Sequence, residues 1–571
     1  MTDSAQKKVI IRADAGGELG SGHVMRMLAL AQALQKRGVS VLMASIQCPD
    51  QLLCHLRSSG IAHHPMEEVT LGGVEDSAQV LSLAREQQAS WLVLDGYHFG
   101  HGYQRCLHEA GFKVAVMDDF AHTEEWCADL IINQNLGTEG NTYRNDIPAY
   151  RYLGGHCFAM LRKEFTEAAI SHPQKRGPIH HLLLTMGGVD AGDASGKILE
   201  ALEKVTGTNL KITVVAGGGN PHLESLRQRA ADSRHSVKVA CNVENMTKLY
   251  NEVDGVISGG GSTCYEWLYY GLPAAVVELA ENQAPIVREL ERTGAALNLG
   301  IPEDLAEAAT IQSLQAWLES PSPTGEACPR VDGKGADRVA AALDNKLRIT
   351  IATAEKSWMN GYIEQSVKEG AFKEHEVTVV HDAAKAPPGD MLFLLSYWSI
   401  ADAATLGKHT HNLVVHASDL PKGKGWSPVS WQILEGCDRI TFCLFEAVDK
   451  VDAGPIYLRK VMELQGDELL DEIRAQQAAI SLELCARFSA EYPYSCATGE
   501  PQQGEESFYP KRSPEDSRLD PHKPIAEQFN LLRIADNEAY PAFFEYEGKT
   551  YILRVSKKAS PSENRETPNE H

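Results

Sequence analysis

The segment Val9–Leu34, VIIRADAGGELGSGHVMRMLALAQAL, is the clearest indication of fold in the first half of this chain. Its β-branched opening predicts a short buried strand, and a run of glycines follows. After the glycines, apolar residues recur at helical spacing: Val24, Met27, Leu28, Ala31 and Leu34. A strand, a glycine turn and a helix N-terminus together form an anion site, because backbone N–H groups and the helix dipole both favour a phosphate.

His23 ends this glycine run, at the mouth of the predicted anion site. A titratable imidazole beside a diphosphate site suggests catalysis. A histidine that only caps or hydrogen-bonds the turn fits the same pattern, so both readings stay open.

Composition restricts the class of protein. The chain has 571 residues, enough for roughly three to four domain-sized units. A net charge of -23 argues against bulk electrostatic binding of nucleic acid. The sequence has a polar start and no apolar run of membrane-spanning length. Its 12 cysteines include no C-x-x-C pair, as expected for reduced thiols. We therefore expect a cytoplasmic protein without nucleic-acid or membrane partners.

Strands and helices alternate over residues 1–165, and polar groups follow most of the predicted strands. Those strands are Val39–Ala44, Trp91–Leu94, Val114–Met117 and Leu130–Ile132. In a parallel sheet the carboxyl ends meet at one edge, where ligands bind. We expect an open doubly wound sheet with polar residues gathered at that edge, although any single Asp there could be a helix cap.

A second α/β unit is predicted over residues 178–305. Glycine turns follow the apolar runs at 182–184, 212–215 and 255–257, and the last leads into a helix that contains Glu266. Two Rossmann-like halves whose glycine turns face one cleft fit a nucleotide-sugar enzyme.

Several motifs across residues 8–300 resemble the UDP-sugar hydrolase of pseudaminic acid biosynthesis. They are Arg12–Asp14, Gly20–His23, Arg26, Asp95–Tyr97, Asp118-Asp119, Leu161–Phe165, Met186–Gly188 and Ser258–Glu266. That enzyme releases UDP from UDP-2,4-diacetamido-2,4,6-trideoxy-β-L-altropyranose. The resemblance implies a glycosyltransferase-B-like fold and places His23 at the anomeric centre, where it activates water.

The same resemblance implies a set of UDP- and sugar-binding residues. Tyr97 would lie near the sugar, the loop before Glu266 would take the diphosphate, and Glu266 would take the ribose hydroxyls. The full set is Asp14, Gly20, Gly22, Arg26, Asp95, Tyr97, Gly260, Ser262, Thr263, Glu266, Asn282 and Gln283.

The second module, from about residue 346, is again α/β. Apolar runs at 347–352, 377–380, 391–395, 413–415 and 440–445 predict its strands. His416 stands just past a buried strand, and Asp452 begins an Asp-Ala-Gly step. These two are candidates for a base and its orienting carboxylate, while a packed His and a capping Asp are the alternative.

This module resembles the formyltransferases that use N10-formyltetrahydrofolate, including methionyl-tRNA formyltransferase and the sugar N-formyltransferases. The matching motifs are His416-x-Ser418-x-Leu420-Pro421-x-x-x-Gly425 and Asp452-Ala-Gly454, and the segments 509–517 and 536–543 resemble the small carboxyl-terminal subdomain of the sugar enzymes. The family implies that His416 helps to deprotonate the attacking amine and that Asp452 holds His416 and the transferred proton. It uses a folate co-substrate and no metal.

The formyltransferase resemblance also implies donor- and amino-sugar-binding residues, with the loop Ser396–Ser399 lining the pterin pocket. The set is Ser396, Tyr397, Trp398, Asn412, Ser418, Pro421, Lys422, Gly425 and Tyr540. One position departs from the family, because Val414 stands where an Asn normally donates to the formyl oxygen. Three readings follow: Asn412 or His411 substitutes, the rate is modest, or this half only binds.

Together these observations predict a bifunctional enzyme of pseudaminic acid biosynthesis. The carboxyl half would formylate the 4-amino group of UDP-4-amino-4,6-dideoxy-L-AltNAc, and the amino half would then release UDP from the N-acylated sugar. The alternatives are a glycosyltransferase in the amino half and a non-catalytic binding module in the carboxyl half. A homodimer is one option for assembly.

The predicted boundaries are 1–170 and 171–345 for the two Rossmann-like halves, 346–500 for the formyltransferase domain, 501–557 for a small β-rich subdomain and 558–571 for a disordered tail.

Overall fold

The computed structural model describes residues 6–16, 20–139, 151–168, 170, 177–241, 243, 245–321, 328–448 and 450–558. Gly17 and all but the first residue of the predicted tail lie outside the described residues. The chain divides into two compact units between Asn345 and Lys346, and each is described by itself.

The first unit contains two parallel sheets. The first sheet has the order β3-β2-β1-β4-β5-β6-β7, and its strands are β1 (Lys8–Ala13), β2 (Ser40–Ser45), β3 (Ala62–Pro65), β4 (Trp91–Asp95), β5 (Lys113–Met117), β6 (Leu130–Asn133) and β7 (Tyr152–Gly154). Its helices are α1 (Gly22–Lys36), α2 (Asp50–Ser58), α3 (Val74–Gln87), α4 (His101–Glu109) and α5 (Lys163–Thr166). We call this sheet with its helices lobe 1.

The second sheet has the order β10-β9-β8-β11-β12-β13. Its strands are β8 (His181–Thr185), β9 (Lys211–Ala216), β10 (Ser236–Cys241), β11 (Gly255–Gly259), β12 (Ala274–Val277) and β13 (Ala296–Asn298). Its helices are α6 (Ala194–Lys204), α7 (Leu223–Asp232), α8 (Met246–Glu252), α9 (Thr263–Tyr270), α10 (Ala284–Arg292), α11 (Ala308–Glu319) and α12 (Gly335–Asp344). We call this sheet with its helices lobe 2.

The two lobes are held together by shared apolar packing and by ion pairs. Leu161 and Phe165, which follow the first sheet, pack in one buried cluster with Tyr250 and Trp267 of lobe 2. The last helix, α12, returns to lobe 1, where Arg37 makes an ion pair of 3.0 Å with Asp344. The carboxyl edges of the two sheets therefore belong to one unit.

The second unit is built on a mixed sheet of order β15-β14-β16-β17-β19-β20, in which β17, β19 and β20 are antiparallel neighbours. Its strands are β14 (Arg348–Ala352), β15 (Glu376–Val380), β16 (Gly389–Leu394), β17 (His409–His416), β18 (Lys424–Gly425), β19 (Arg439–Glu446), β20 (Ile456–Glu463), β21 (Phe508–Tyr509), β22 (Ala542–Tyr546) and β23 (Lys549–Leu553). Its helices are α13 (Asn360–Lys368), α14 (Ala403–Leu406), α15 (Pro428–Leu434), α16 (Leu470–Ala490) and α17 (Phe529–Arg533).

The predicted mixed α/β class and the predicted central strands are confirmed. The sequence reading missed several strands, among them β3, β7, β10 and β20. β3 reads AHHP and is largely exposed, and β10 is half-buried, so neither carries a continuous apolar run. Edge strands need to bury only one face, which weakens the hydrophobic signal. No helix in the described residues is both long and apolar enough to cross a bilayer.

Candidate active sites

His23 lies in the first turn of α1, directly above the carboxyl end of the first sheet. Its Nδ1 is 2.6 Å from Asp95 Oδ1, at the end of β4. The two residues meet because β1 and β4 are parallel neighbours with Ala13 opposite Asp95, and α1 begins just after β1. Nδ1–H donates to the carboxylate, so Nε2 carries the lone pair, and Nε2 makes no hydrogen bond within the described chain.

Arg26, one turn further along α1, fixes the Asp95 carboxylate with two hydrogen bonds of 2.7 Å, from Nε and from one terminal nitrogen. Its other terminal nitrogen donates to Asp119 at 2.9 Å. Burial raises the pKa of Asp95, but the charges of Arg26 and His23 outweigh it and bring the pKa down to about 2. Asp95 is therefore ionised at neutral pH and stabilises a protonated His23.

Tyr97 links this cluster to lobe 2. Its hydroxyl donates to Asp119 at 2.7 Å and accepts from Asn282 Nδ2 at 3.3 Å. Its ring stands edge-on to His23 with a centroid separation of 5.1 Å. Burial and the Asp119 charge raise the pKa of Tyr97, so the phenol stays protonated and can donate.

A cavity of about 620 Å³ lies between the glycine turns of the two lobes. Lobe 1 contributes Gly16, Gly20 and Ser21, and lobe 2 contributes a set of small or polar groups: Thr185, Gly187, Gly188, Gly217, Gly218, Gly219, Thr263 and Glu266. A Cβ at Gly217 would lie 2.2 Å from the Gly188 carbonyl oxygen, so only glycine permits this close approach. At the start of α1 the lining includes Ser21 and Met25, which lie on either side of His23 in sequence.

Glu266 lies in α9, where it faces the cavity. It accepts a hydrogen bond of 2.8 Å from the Tyr250 hydroxyl, and Arg162 lies 3.9 Å from its other oxygen. Burial raises the pKa of Glu266, and the positive charge of Arg162 reduces that shift. A buried carboxylate with one oxygen near a cation can accept hydrogen bonds from a ligand that displaces solvent.

Three of the predicted binding residues are engaged inside the protein. Asp14 Oδ1 accepts from the backbone N–H groups of residues 46 and 47 at 2.8 and 3.0 Å, and Arg12 pairs with its other oxygen at 2.6 Å. The Gly260 N–H donates to Gln283 Oε1 at 3.0 Å. A Cβ at Gly260 would lie 2.4 Å from a methyl of Val287, so this glycine serves close packing.

One residue of the loop before Glu266, Gly260, thus has its amide engaged within lobe 2, while Thr263 at the start of α9 lines the cavity. The Gly260 amide donates to Gln283 and to the Val277 carbonyl, and the glycine turns at 187–188 and 217–219 also line the cavity. Ser262 is the residue before α9 and Gly22 is the first residue of α1.

The sequence analysis quoted Asp119 and the polar residues that follow β6, among them Asn135 of lobe 1, but gave them no role, and it missed Tyr265 of lobe 2. Asn135 Nδ2 donates to Asp119 at 3.1 Å, and the Tyr265 hydroxyl donates to Asn135 Oδ1 at 3.1 Å. Asp119 could have been found from its place after β5 beside a second Asp. Tyr265 sits in an apolar run and gave no signal.

In the second unit, His416 is the last residue of β17 and is buried. Its Nε2 lies 2.9 Å from the Gly423 carbonyl oxygen. A carbonyl only accepts, so Nε2–H is the donor and Nδ1 carries the lone pair. The imidazole is thereby held in one tautomer by the backbone of the loop that follows it.

Asp452 does not hold His416 directly, contrary to the expectation. Its backbone is in the left-handed region, with a φ of 50°, and its Oδ2 accepts from the Gly425 N–H at 3.1 Å. Gln502 donates to the Asp452 carbonyl at 3.0 Å and fixes this turn. His416 and Asp452 line the same cavity. The Gly423 carbonyl orients the first side chain, and the Gly425 N–H orients the second.

That cavity has a volume of about 510 Å³ and mostly apolar walls. The predicted loop Ser396–Ser399 lines it, together with Gly425, and Val414 and Val415 face it from β17. Apolar walls with a few convergent polar groups, at a volume within the usual range of roughly 300–1,000 Å³, fit a pterin ring. The residues present therefore suit the folate co-substrate that the resemblance implies.

The remaining predicted residues lie elsewhere. Asn412 is buried and its amide donates to the Leu406 carbonyl at 3.0 Å, away from the cavity lining. Pro421 and Lys422 line a separate cleft of about 760 Å³. Ser418 is buried, and Tyr540 is half-exposed, preceding β22.

His411, the other residue considered as a substitute for the missing Asn, is buried with its Nδ1 2.8 Å from Glu446. Neither it nor Asn412 lines the cavity. Among the described residues, no group of three or more His, Cys, Asp or Glu side chains is arranged to hold a metal ion.

The two halves of the chain are similar to two different groups of known proteins. The amino half is similar to the spore coat polysaccharide biosynthesis protein SpsG of Bacillus subtilis, at 25% identity over 349 residues, or 59% of this chain and 97% of SpsG. It is also similar to the UDP-2,4-diacetamido-2,4,6-trideoxy-beta-L-altropyranose hydrolase of Campylobacter jejuni, at 24% identity over 50% of this chain and 97% of the hydrolase. No protein-family model matches the chain.

The carboxyl half is similar to formyltransferases. The methionyl-tRNA formyltransferase of Thermosipho melanesiensis is 31% identical over 122 residues, which are 21% of this chain and 39% of that enzyme. Among solved structures, a likely sugar N-formyltransferase from Mycobacterium tuberculosis aligns over 38% of this chain and 99% of its own, with 16% identity and a TM-score of 0.31. The chain thus spans nearly the whole of the hydrolase and less than half of the methionyl-tRNA formyltransferase.

Proposed function

We propose that this protein modifies a nucleotide-linked amino sugar at two sites. The second unit transfers a formyl group from N10-formyltetrahydrofolate to the 4-amino group of UDP-4-amino-4,6-dideoxy-L-AltNAc. The first unit then hydrolyses the N-acylated UDP-sugar and releases UDP. The similarities to a UDP-sugar hydrolase and to formyltransferases support the pairing of a hydrolytic with a formyl-transferring half.

The observation that carries the hydrolytic half is the oriented pair of His23 and Asp95. Hydrolysis needs a base with a free lone pair, and the 2.6 Å contact to Asp95 leaves Nε2 of His23 in that state. As His23 takes a proton from water, the ionised Asp95 stabilises the imidazolium. The glycine turns at the cavity supply small, close-approach positions for a leaving diphosphate.

For the formyl-transferring half, support comes from His416 in the second cavity. Its Nε2–H is held by the Gly423 carbonyl, so Nδ1 is the atom that can accept a proton from the attacking amine. The folate co-substrate supplies the formyl carbon, and the apolar walls around Ser396–Ser399 exclude water from its ring. Formylation precedes hydrolysis in this scheme because UDP is a recognition handle that hydrolysis removes.

Mass spectrometry of the full chain with the UDP-4-amino sugar, with and without N10-formyltetrahydrofolate, tests both activities. We expect one formyl group to be added only when the folate is present and only when His416 is intact. We expect UDP release to disappear in His23→Ala and to persist in His63→Ala, a matched histidine on β3 of the same sheet. UDP release that is unaffected by His23→Ala would refute the hydrolytic assignment.

A second candidate for the carboxyl half is a folate-binding module without catalysis. Val414 favours it, because an aliphatic side chain faces the cavity where the family places its oxyanion donor. This candidate predicts saturable folate binding by calorimetry with no formylated product at saturating substrates.

A further inference from the structure

A chain of hydrogen bonds runs from lobe 2 to the histidine of lobe 1. It begins at Tyr265 in α9, whose hydroxyl donates to Asn135 at 3.1 Å. Asn135 Nδ2 donates both to the Asp119 carboxylate and to its backbone carbonyl, at 3.1 Å each. Asp119 accepts from Arg26, and Arg26 fixes Asp95, the partner of His23.

The surroundings of Asn135 fix the orientation of its side-chain amide, with Nδ2 towards Asp119 and Oδ1 towards Tyr265. Its backbone N–H donates to Asn133 Oδ1 at 3.0 Å, and its carbonyl accepts from Thr138 at 2.6 Å. With Nδ2 committed to Asp119, the amide oxygen faces Tyr265 and needs a donor. Burial raises the pKa of Tyr265, so its phenol remains protonated and supplies that donor.

Asp119 is the point where this chain meets a second contact between the lobes. Its Oδ1 accepts from Arg26 and Asn135, and its Oδ2 accepts from Tyr97. Tyr97 in turn accepts from Asn282 of lobe 2. Both cross-lobe hydrogen bonds therefore end on partners of one carboxylate, and that carboxylate sets the position of Arg26.

We propose that Tyr265 is a positioning residue for His23, acting through Asn135, Asp119, Arg26 and Asp95. This inference rests on the proposed hydrolytic function. Tyr265 is 1% exposed, so it has almost no surface with which to contact the nucleotide or the sugar. Docking of lobe 2 on lobe 1 through Tyr265 thereby improves the alignment of the base that activates water.

The test compares Tyr265→Phe with Tyr270→Phe in the full chain. Both residues are buried in α9, but Tyr270 stacks on Tyr250 within lobe 2, with ring centroids 5.2 Å apart. Loss of one neutral hydrogen bond typically costs about 0.5–1.5 kcal/mol, so Tyr265→Phe should lower kcat for UDP release by about 2- to 12-fold. KM and the UDP dissociation constant should stay within twofold, and Tyr270→Phe should match the wild type.

A spectroscopic readout separates positioning from activity. In protein labelled with ¹⁵N-histidine, the Nδ1–H resonance of His23 is assigned by its disappearance in His23→Ala. We expect this resonance to shift or broaden in Tyr265→Phe and to be unchanged in Tyr270→Phe. An unchanged resonance together with an unchanged kcat would overturn the proposal.

The proposal and the proposed function can fail separately. If the wild type releases no UDP, the hydrolytic function fails, while the His23 resonance still reports on positioning. If UDP release is robust and His23-dependent but Tyr265→Phe is indistinguishable from Tyr270→Phe, only the positioning role fails. Equal losses of kcat and UDP affinity in Tyr265→Phe would also contradict it, because they indicate general damage to lobe 2.

Discussion

The two histidines proposed as bases are held in different ways. His23 donates a hydrogen bond to the Asp95 carboxylate. Arg26 holds that carboxylate in place and also donates to a second carboxylate, that of Asp119. His416 donates a hydrogen bond to the Gly423 backbone carbonyl. Two residues before it on the same strand, the aliphatic Val414 lines the cavity. Both supports fix a tautomer, but only the first places a negative charge against the imidazolium that forms during catalysis.

The two proposed sites therefore differ in how charge is arranged around the histidine. The proposed hydrolytic site has its charged side chains in a buried network, so substitutions there should lower the rate through loss of orientation and charge. The cavity proposed for formyl transfer is largely apolar, and Asp452 is the carboxylate in its described lining. Its rate should therefore respond most to whether a donor can be supplied for the developing oxyanion.

Asp95→Asn tests the charge-supported side of the comparison and should have the largest effect. The amide can present its N–H to His23 Nδ1, which reverses the tautomer and blocks Nε2 as a base. By analogy with the effect of such a change in serine proteases, kcat for UDP release should fall by about 10⁴-fold. Steady-state kinetics with Asp50→Asn, an acidic residue at the start of α2, as control would measure it. A loss below tenfold would contradict the role of the dyad.

Val414→Asn tests the other side and should increase activity. An amide at this position would face the cavity and could donate to the formyl oxygen as it becomes negative. One oxyanion donor is worth about 10²–10³-fold in kcat elsewhere, so a rise in formyl transfer of up to that size is expected. Val415→Asn, also lining the cavity, is the matched control. No rise in Val414→Asn would indicate that another group already supplies the donor.

The pH dependence of the unfolding free energy tests whether the Asp95 carboxylate is paired in the folded first unit. Despite burial, the charges of Arg26 and His23 bring the pKa of Asp95 in the folded protein down to about 2, from an ordinary 3.8, so this pairing stabilises the first unit fully above about pH 4. That stabilisation, about 2 kcal/mol, is lost as the pH falls from about 4 towards 2. Urea unfolding of wild type and Asp95→Asn at pH 5 and pH 2.5 should show their difference in unfolding free energy narrowing by about two-thirds of that amount, since pH 2.5 is still above the folded pKa. A constant difference would contradict the pairing.

The smallest predicted effect concerns Glu266 and tests whether this residue contacts a bound nucleotide. Burial raises its pKa, so it protonates at a higher pH than an ordinary glutamate. If it accepts ligand hydroxyls, UDP should bind about tenfold more weakly as the pH falls through that raised pKa. Calorimetry should find the same trend absent in Glu266→Gln. An equal pH dependence in both proteins would argue against ligand contact by Glu266.

The sequence was most informative where chemistry follows a buried strand. Asp95, Tyr97 and His416 were placed correctly at strand ends, because apolar runs predict parallel strands and parallel strands align their carboxyl ends. It was least informative about which glycines face ligand. Gly260 and Gly217 look alike in sequence, yet the first packs against Val287 and the second lines the cavity.

Long-range pairing was also invisible. The Tyr265–Asn135 contact joins residues 130 positions apart in different lobes, and no local periodicity encodes it. The expectation that Asn412 would replace the missing Asn followed from its position two residues earlier on the same strand. A residue two positions away on a strand can still lie outside the cavity lining. Here the Asn412 amide donates to the Leu406 carbonyl instead.

The most direct test of the two-site account is product trapping with His23→Ala. Incubated with the UDP-4-amino sugar and N10-formyltetrahydrofolate, this variant should accumulate the formylated UDP-sugar, one formyl group heavier than the substrate. The wild type should convert the same mixture to UDP and a formylated free sugar. An absence of formylated UDP-sugar in His23→Ala, or UDP release by the wild type with no formyl group added, would contradict it.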